Sequence, residues 1–107
     1  MIARIWHGWT SSTNAEAYEH LLQDDIFPRI AALEVEGYEG IDLLRREPSG
    51  DEVEFVTIMW FSSLDAVRAF AGEDYELAYV PEAARQFLSR FDERSAHYEV
   101  RGTASPA

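Results

Sequence analysis

The chain has 107 residues, a formal net charge of −11 at pH 7 and no cysteine. This length fits one domain, and a chain without cysteine forms no disulfide, thiolate metal site or cysteine nucleophile. The excess of acidic over basic residues, 20 against 9, repels phosphate backbones and anionic membranes, so nucleic acid is not an expected partner. There is neither a membrane-spanning apolar stretch nor a signal-peptide pattern, which predicts a cytoplasmic protein without membrane contact.

The first third of the chain predicts a strand followed by an interrupted helix. Residues 2–9 are rich in β-forming types, and neither alternating face is plainly polar, so we expect both faces to be covered. Thr13 and Glu16 have the spacing of a capping box, which predicts that a helix begins there. Pro28 lacks an N–H and crowds the preceding turn, so we expect a kink or break near Phe27.

A β-hairpin and a second helix are predicted in the middle of the chain. Residues 38–47 and 53–61 have strand composition, and the turn at 48–51 between them predicts an antiparallel pair. Residues 62–65 are typical of a helix N-terminus, and Gly72 suits the C-terminal end of that helix.

The last third of the chain predicts an irregular stretch, a helix and a final strand. Residues 73–76 are polar, and Pro81 is well placed at the start of a helix. The apolar side of that helix is expected to contain Ala84, Phe87, Leu88 and Phe91. Residues 94–101 are predicted to form the last strand, and residues 102–107 a flexible tail after a single domain at 1–101.

The order of these elements predicts an α+β fold of the ferredoxin-like type, β-α-β-β-α-β with an additional helix before the last strand. A four-stranded antiparallel sheet with helices on one side leaves its other side exposed. Here that side would present large apolar residues from every strand, including Trp6 and Trp60. An apolar surface of this size requires a partner, so we expect a homodimer with the two sheets face to face.

Four segments resemble the antibiotic biosynthesis monooxygenase family, namely residues 2–10, 43–46, 61–72 and 97–100. The resemblance implies a dimeric α/β barrel built from two ferredoxin-like chains. It also implies small-molecule chemistry, since the family contains quinone-forming oxygenases and heme-degrading enzymes.

Neither catalytic set of this family is complete in the sequence. Quinone-forming members have an asparagine and a tryptophan on the third strand and a tyrosine on the next helix. One alignment places Thr57, Phe61 and Val67 there, and a shift by one residue places Val56, Trp60 and Ala66 there, which recovers only the tryptophan. The asparagine, tryptophan and histidine of heme-degrading members fall near His7, Phe70 and Tyr79 or Val80.

Two histidines are the candidate catalytic residues. His7 shares a strand face with Ile5 and Trp9, and a partly desolvated neutral imidazole beside aromatic rings can accept a proton. His97 is on the last strand, which can neighbour the first, so the two histidines could share a site. The alternative is a pair of structural histidines, and His20 is expected on the surface.

The candidate substrate-binding residues are aromatic or polar side chains near strand ends and on the adjoining helix. They are Trp9, Arg45, Thr57, Phe61, Phe70 and Tyr79. Aromatic walls with a few polar groups suit a flat organic ligand. Arg4, Arg45 and Arg46 could bind a carboxylate or phenolate, although pairing with surface acids is the favoured interpretation.

The leading functional hypothesis is an enzyme, a cofactor-independent monooxygenase acting on an aromatic or polyketide-like molecule. There is no dinucleotide-binding glycine motif, P-loop or metalloprotease motif, and no metal site is predicted. One alternative is a heme-binding or heme-degrading protein with His7 or His97 as axial ligand. The other is a small-molecule-binding module without turnover.

Overall fold

The computed structural model describes residues 1–106, without the side chain of Ser49, and contains a twisted antiparallel sheet with a helical layer on one face. The strands are β1 Ile2–Ser11, β2 Tyr38–Ser49, β3 Glu52–Phe61, β4 Leu88–Phe91 and β5 Ala96–Glu99. The helices are α1 Ser12–Leu21, α2 Phe27–Ala32, α3 Leu64–Ala71 and α4 Glu82–Arg85, with a π-helical turn at Leu22–Ile26 between the first two. Within this part of the chain, no helix is long and apolar enough to cross a membrane.

The sheet has the order β2-β3-β1-β4, and β5 pairs with β1 on the same edge as β4. β4 lies opposite Gly8–Thr10 and β5 lies opposite Ile2–Ile5. The α+β class and the antiparallel hairpin are therefore confirmed. The expected strand count of four was wrong because the fourth position is divided between two short strands.

The predicted helix after Pro81 was wrong beyond its first turn. α4 ends at Arg85, and the apolar residues from Leu88 to Phe91 form β4 instead. Without β4, the backbone N–H and C=O groups along this edge of β1 would have no partner in the sheet. Pairing with residues 88–91 as a strand satisfies them, whereas a longer α4 would not. The last strand is also shorter than expected, and beyond it the Val100 N–H donates to the Met1 carbonyl at 2.9 Å.

The first helix begins two residues earlier than the capping box predicted. Ser11 is the N-cap, with extended backbone angles, and its hydroxyl accepts a hydrogen bond from the Asn14 N–H at 3.2 Å. β1 therefore passes into α1 without a loop, and Thr13 is already inside the first turn.

The break expected near Phe27 is present as the π-helical turn one turn earlier. The Phe27 N–H donates to the Leu22 carbonyl, five residues back. Pro28 then lies in the first turn of α2, where its missing N–H is tolerated. The wider turn therefore accommodates the proline without ending the helical path, and both Leu22 and Ile26 are buried.

The two faces of the sheet differ in what covers them. The face against the helices, the helix-side face, carries Arg4, Trp6, Thr57 and Met59, which are all buried. The other, the open face, carries His7, Trp9, Val56, Ile58 and Trp60, none of which is fully buried. Trp6 was expected on the dimer surface, which was wrong, because it is 9% exposed and donates through Nε1 to the Asp92 carbonyl at 2.8 Å.

The core lies between the helix-side face and the helices. Its fully buried side chains include Tyr18, Phe55, Phe61, Val53 and Val67. The apolar side chains of the first helical segment reach the core as far as Ile30, whereas Leu33 is 61% exposed. α3 begins at the predicted cap, where the Ser63 hydroxyl accepts from the Ala66 N–H at 3.2 Å.

Gly37 is required by both its backbone and its surroundings. Its φ is +88°, and an added Cβ would lie 2.6 Å from the Ala66 Cβ and the Ser62 Oγ. We expect Gly37→Ala to lower the free energy of unfolding by about 2–4 kcal/mol, from backbone strain and overlap together. The control is Gly50→Ala, which has a positive φ but open space, and for which we expect about 1 kcal/mol. Urea unfolding of the two variants measures both values, and equal losses would contradict the steric explanation.

Candidate functional site

A cavity of about 50 Å³ lies between the helix-side face and the helices. Most of its wall is apolar, and Leu22 and Ile26 of the π-helical turn contribute to it. Its polar side chains are Arg4, Tyr18, Thr57 and Tyr79. The volume suits a few waters or one small group, whereas pockets for drug-sized ligands are about 300–1,000 Å³. A ring-sized ligand therefore requires the cavity to widen.

Part of the cavity rim is formed by the irregular stretch before α4. Tyr79, Val80 and Pro81 line the cavity, and no helix or strand includes them. Tyr79 is 56% exposed and packs edge-on against Phe70, with ring centroids 5.8 Å apart. Displacement of this stretch breaks few backbone hydrogen bonds, so it is the least costly way to enlarge the cavity.

Arg4 is the charged group of the cavity wall and is 3% exposed. Its Nη1 donates to the Tyr75 carbonyl and to Nε2 of His97, the latter at 2.9 Å. Its Nη2 donates to the Leu77 carbonyl at 3.1 Å, and its guanidinium carbon lies 5.7 Å from the Phe70 ring centroid. Burial lowers the pKa of Arg4 to about 10, so the side chain remains charged at pH 7.

His97 is a neutral hydrogen-bond acceptor for Arg4. Because the guanidinium always donates, Nε2 of His97 carries the lone pair and Nδ1 carries the hydrogen. That Nδ1 is buried and has no partner among residues 1–106. Burial and, second, the charge of Arg4 lower the pKa of His97 against an opposing effect of Glu76. The imidazole is therefore neutral at pH 7.

His7 is on the open face, on the other side of the sheet from the cavity. Its Nδ1 is 2.9 Å from Glu54 Oε2, and Arg46 Nε donates to Glu54 Oε1 at 2.7 Å. The His7 hydrogen bond is the largest effect that lowers the pKa of Glu54. Arg4 and His97 are paired across β1 and β5, so their side chains lie on the same face of the sheet. His7 is three positions after Arg4 on β1, and side chains an odd number of positions apart on a strand point to opposite faces. The two histidines therefore lie on opposite faces. The expectation of a shared histidine site was wrong.

Only part of the predicted substrate-binding set adjoins the cavity. Thr57 and Tyr79 line it, and Phe70 lies behind Tyr79 and beneath Arg4. Phe61 is fully buried in the core, where it packs against Phe70 with ring centroids 5.8 Å apart.

The remaining two predicted residues lie away from the cavity wall. Arg45 Nη1 donates to Glu16 at 2.7 Å and to Glu19 at 3.1 Å, which is the surface pairing that the sequence favoured. Trp9 lies on the open face beneath the guanidinium of Arg90, 3.9 Å from ring centroid to carbon, and stacks with His7.

Arg4 was a candidate anion-binding residue, but the favoured pairing with surface acids was wrong for it, because it is buried and its partners are neutral. Tyr18 and Trp6 were not expected in a cavity wall. The available signal was an arginine between Ile2 and Trp6 on one face of a strand, where a charge is unusual. The structure shows that this face is covered, and burial raises the pKa of Tyr18, so its hydroxyl remains a neutral donor. Nothing in the sequence indicated that residues 75–77 would cover Arg4.

The cavity between the sheet and the helices does not fit a heme. The cavity is far smaller than a porphyrin, and the Nε2 lone pair of His97 is occupied by Arg4. His7 lies outside this cavity, on the open face, where its Nδ1 contacts Glu54. Among residues 1–106, no group of three or more acidic or histidine side chains is arranged to hold a metal ion.

No protein-family model and no curated protein matches the sequence. The structure is similar to a proposed antibiotic biosynthesis monooxygenase from Bacillus cereus, with TM-score 0.61, 16% identity and coverage of 97% of this chain and 95% of the other. It is similar to Rv0793 from Mycobacterium tuberculosis, with TM-score 0.58, 20% identity and coverage of 99% and 98%. It is also similar to SnoaB, a cofactor-independent oxygenase from Streptomyces nogalater, with TM-score 0.51, 22% identity and 95% coverage of both chains. The chain therefore has the fold of these proteins over nearly its whole length, as the resemblance implied.

Proposed function

We propose that the protein is a cytoplasmic, cofactor-independent monooxygenase for a small aromatic molecule, with the cavity as its active site. The observation that carries the proposal is an apolar cavity whose wall contains a buried cation, Arg4. SnoaB, which has the same fold, is a cofactor-independent oxygenase, and this supports the reaction class. The aromatic side chains around the cavity, Tyr18, Trp6 and Tyr79, suit a flat substrate.

The reaction requires no redox group from the protein. A substrate with an enolisable methylene loses a proton, and the resulting anion transfers an electron to dioxygen. A C–O bond then forms and the O–O bond breaks, so one oxygen atom remains as a carbonyl and the other leaves as water. The methylene and dioxygen are thereby converted into a carbonyl and water. The protein must stabilise the anion and exclude water from the cavity.

His97 is the candidate base in this proposal. It lies on the helix-side face and contacts the cavity-lining Arg4, whereas His7 lies on the other side of the sheet. The Nε2 lone pair of His97 is held by Arg4 Nη1. A substrate whose carbonyl oxygen replaces His97 as the partner of this N–H frees the imidazole to take up the methylene proton, and the enolate so formed stays paired with Arg4.

Oxygen uptake with anthrones, which carry an enolisable methylene, tests this function. We expect His97→Ala to reduce the rate about 10²–10⁴-fold, the usual contribution of a general base. His20→Ala is the matched control, since His20 is exposed on α1, and its rate should equal that of the unmodified protein. The absence of uptake above the rate of a His7→Ala, His97→Ala double variant would contradict the function. A loss confined to His7→Ala would move the site to the open face and contradict the cavity assignment.

We also propose that two copies pair through their open faces. On this face β3 carries the partly exposed Val56, Ile58 and Trp60. Leu44 and Tyr98 on the same face are 46% and 57% exposed. A contiguous apolar surface in the middle of a sheet is typical of an interface. At the margin of this surface, Glu54 is paired with His7 and Arg46.

A further inference from the structure

Arg4 combines burial with the lack of an acidic partner, unlike the other arginines among residues 1–106. The arginines with a carboxylate within ion-pair distance are Arg29, Arg45, Arg46, Arg68, Arg90, Arg94 and Arg101. Arg85 has no such partner but is exposed. Arg4 is therefore the buried arginine without a counterion among the described residues, in a chain with 20 acidic side chains.

The hydrogen bonds of Arg4 leave part of its guanidinium unused. Its partners, two carbonyls and the imidazole of His97, are all neutral. They take three of the five N–H donors, so the Nε hydrogen and one Nη2 hydrogen have no protein acceptor within residues 1–106. A buried charge without a counterion costs several kcal/mol, and an anion in the adjoining cavity would offset this cost.

The surroundings of Arg4 restrict the kind of anion. The cavity of about 50 Å³ has room for one oxygen-bearing head group beside the guanidinium. Its walls are otherwise mostly apolar, with Thr57 and Tyr18 as neutral hydroxyl groups, so the rest of the ligand must be apolar. The net charge of −11 repels polyanions, which disfavours nucleotides and other polyphosphates.

We propose that Arg4 binds the ionised form of an oxygen acid with an apolar body, such as an enolate, a phenolate or a carboxylate, in preference to its neutral form. This proposal rests on the proposed function in placing the ligand in the cavity, and it names the substrate class of that site. His97 holds the guanidinium in position through Nε2 until the anion arrives. Neutral aromatic hydrocarbons are excluded as substrates.

The test uses para-nitrophenol, whose absorbance reports its ionisation, and the neutral analogue para-nitroanisole. We expect the unmodified protein to bind nitrophenolate at least about tenfold more tightly than nitrophenol, which lowers the apparent pKa of the bound probe by at least about one unit. Binding of nitroanisole is measured by quenching of tryptophan fluorescence, since Trp6 lines the cavity. We expect nitroanisole to bind at least about tenfold more weakly than nitrophenolate. Arg4→Met should abolish the preference for the anion. The matched control is Arg29→Met on the exposed surface of α2, which should keep it.

Several outcomes would overturn the proposal. They are equal affinity for nitrophenolate and nitroanisole, no binding of either probe, and an unchanged preference in a folded Arg4→Met variant. If circular dichroism shows that Arg4→Met is unfolded, Arg4→Lys replaces it. Loss of the preference there to below about threefold supports binding of the anion by the two unused guanidinium donors, Nε–H and Nη2–H, which lysine does not reproduce. An unchanged preference in folded Arg4→Lys overturns that mode of binding.

The binding test and the oxygen-uptake test fail independently. Nitrophenol has no enolisable methylene, so its binding does not depend on turnover. Anion preference without oxygen uptake would remove the proposed function and leave the anion site. Oxygen uptake that is unaffected by Arg4→Met would remove the anion site and leave the function.

Discussion

Phe61→Ala is expected to lower the free energy of unfolding by about 3–5 kcal/mol, the usual cost of truncating a buried phenylalanine. Phe61 is 0% exposed at the end of β3 and packs between Tyr38 and Phe70, with ring centroids 5.7 and 5.8 Å from its own. Phe70 in turn supports Tyr79 and lies beneath Arg4. Truncation of Phe61 would leave a void beside Tyr38 and Phe70. Phe70 would then support Tyr79, at the rim of the cavity, less firmly.

Urea unfolding followed by circular dichroism measures this loss. Leu33→Ala is the control, because Leu33 is 61% exposed, and we expect a change within about 0.5 kcal/mol. The sequence predicted that Phe61 contacts the substrate, whereas the structure places it in the core. A loss of stability below about 1 kcal/mol together with weaker ligand binding would favour the earlier interpretation.

Ile58→Glu is expected to prevent pairing of two chains. Ile58 is opposite Ile5 on one side and Asp42 on the other, in the middle strand of the open face. A carboxylate placed there would be buried without a partner in the dimer, which costs several kcal/mol and raises the dissociation constant at least about 100-fold. In the separate chain this position is partly exposed, so the carboxylate can reach solvent and the fold should be retained.

Light scattering at micromolar concentration distinguishes the two states. We expect the mass of two chains for the unmodified protein and of one chain for Ile58→Glu. Leu33→Glu makes the same chemical change on the helical layer, away from the open face, and should keep the dimer mass. A single-chain mass for the unmodified protein would contradict the pairing, as would a dimer mass for Ile58→Glu.

Local signals in the sequence predicted the elements that short-range chemistry determines. The Ser63 cap, the end of α3 at Gly72 and the β2–β3 hairpin depend on neighbouring residues, and each is present. β4 was missed because residues 88–91 become a strand only through pairing with β1, about 80 positions earlier. Intrinsic helix preference after Pro81 was weaker than this long-range pairing.

The candidate site was predicted less well than the fold, because its contacts join distant segments. The placement of His97 opposite Arg4 depends on the register of β5 against β1, which no local pattern specifies. The carbonyls of Tyr75 and Leu77 reach Arg4 only after the stretch before α4 has folded over the sheet. An arginine flanked by apolar residues was visible in the sequence, but its lack of an acidic partner was not.

The hydrogen bond from Val100 to Met1 brings the residue that follows β5 next to the residue that precedes β1, at one border of the sheet. A short peptide could therefore join the ends, and new termini could be opened at the Gly50–Asp51 turn without removing a strand. Such a circular permutant would separate β2 from β3 in sequence while retaining every strand pair. It would also direct any fused tag away from the Met1 border.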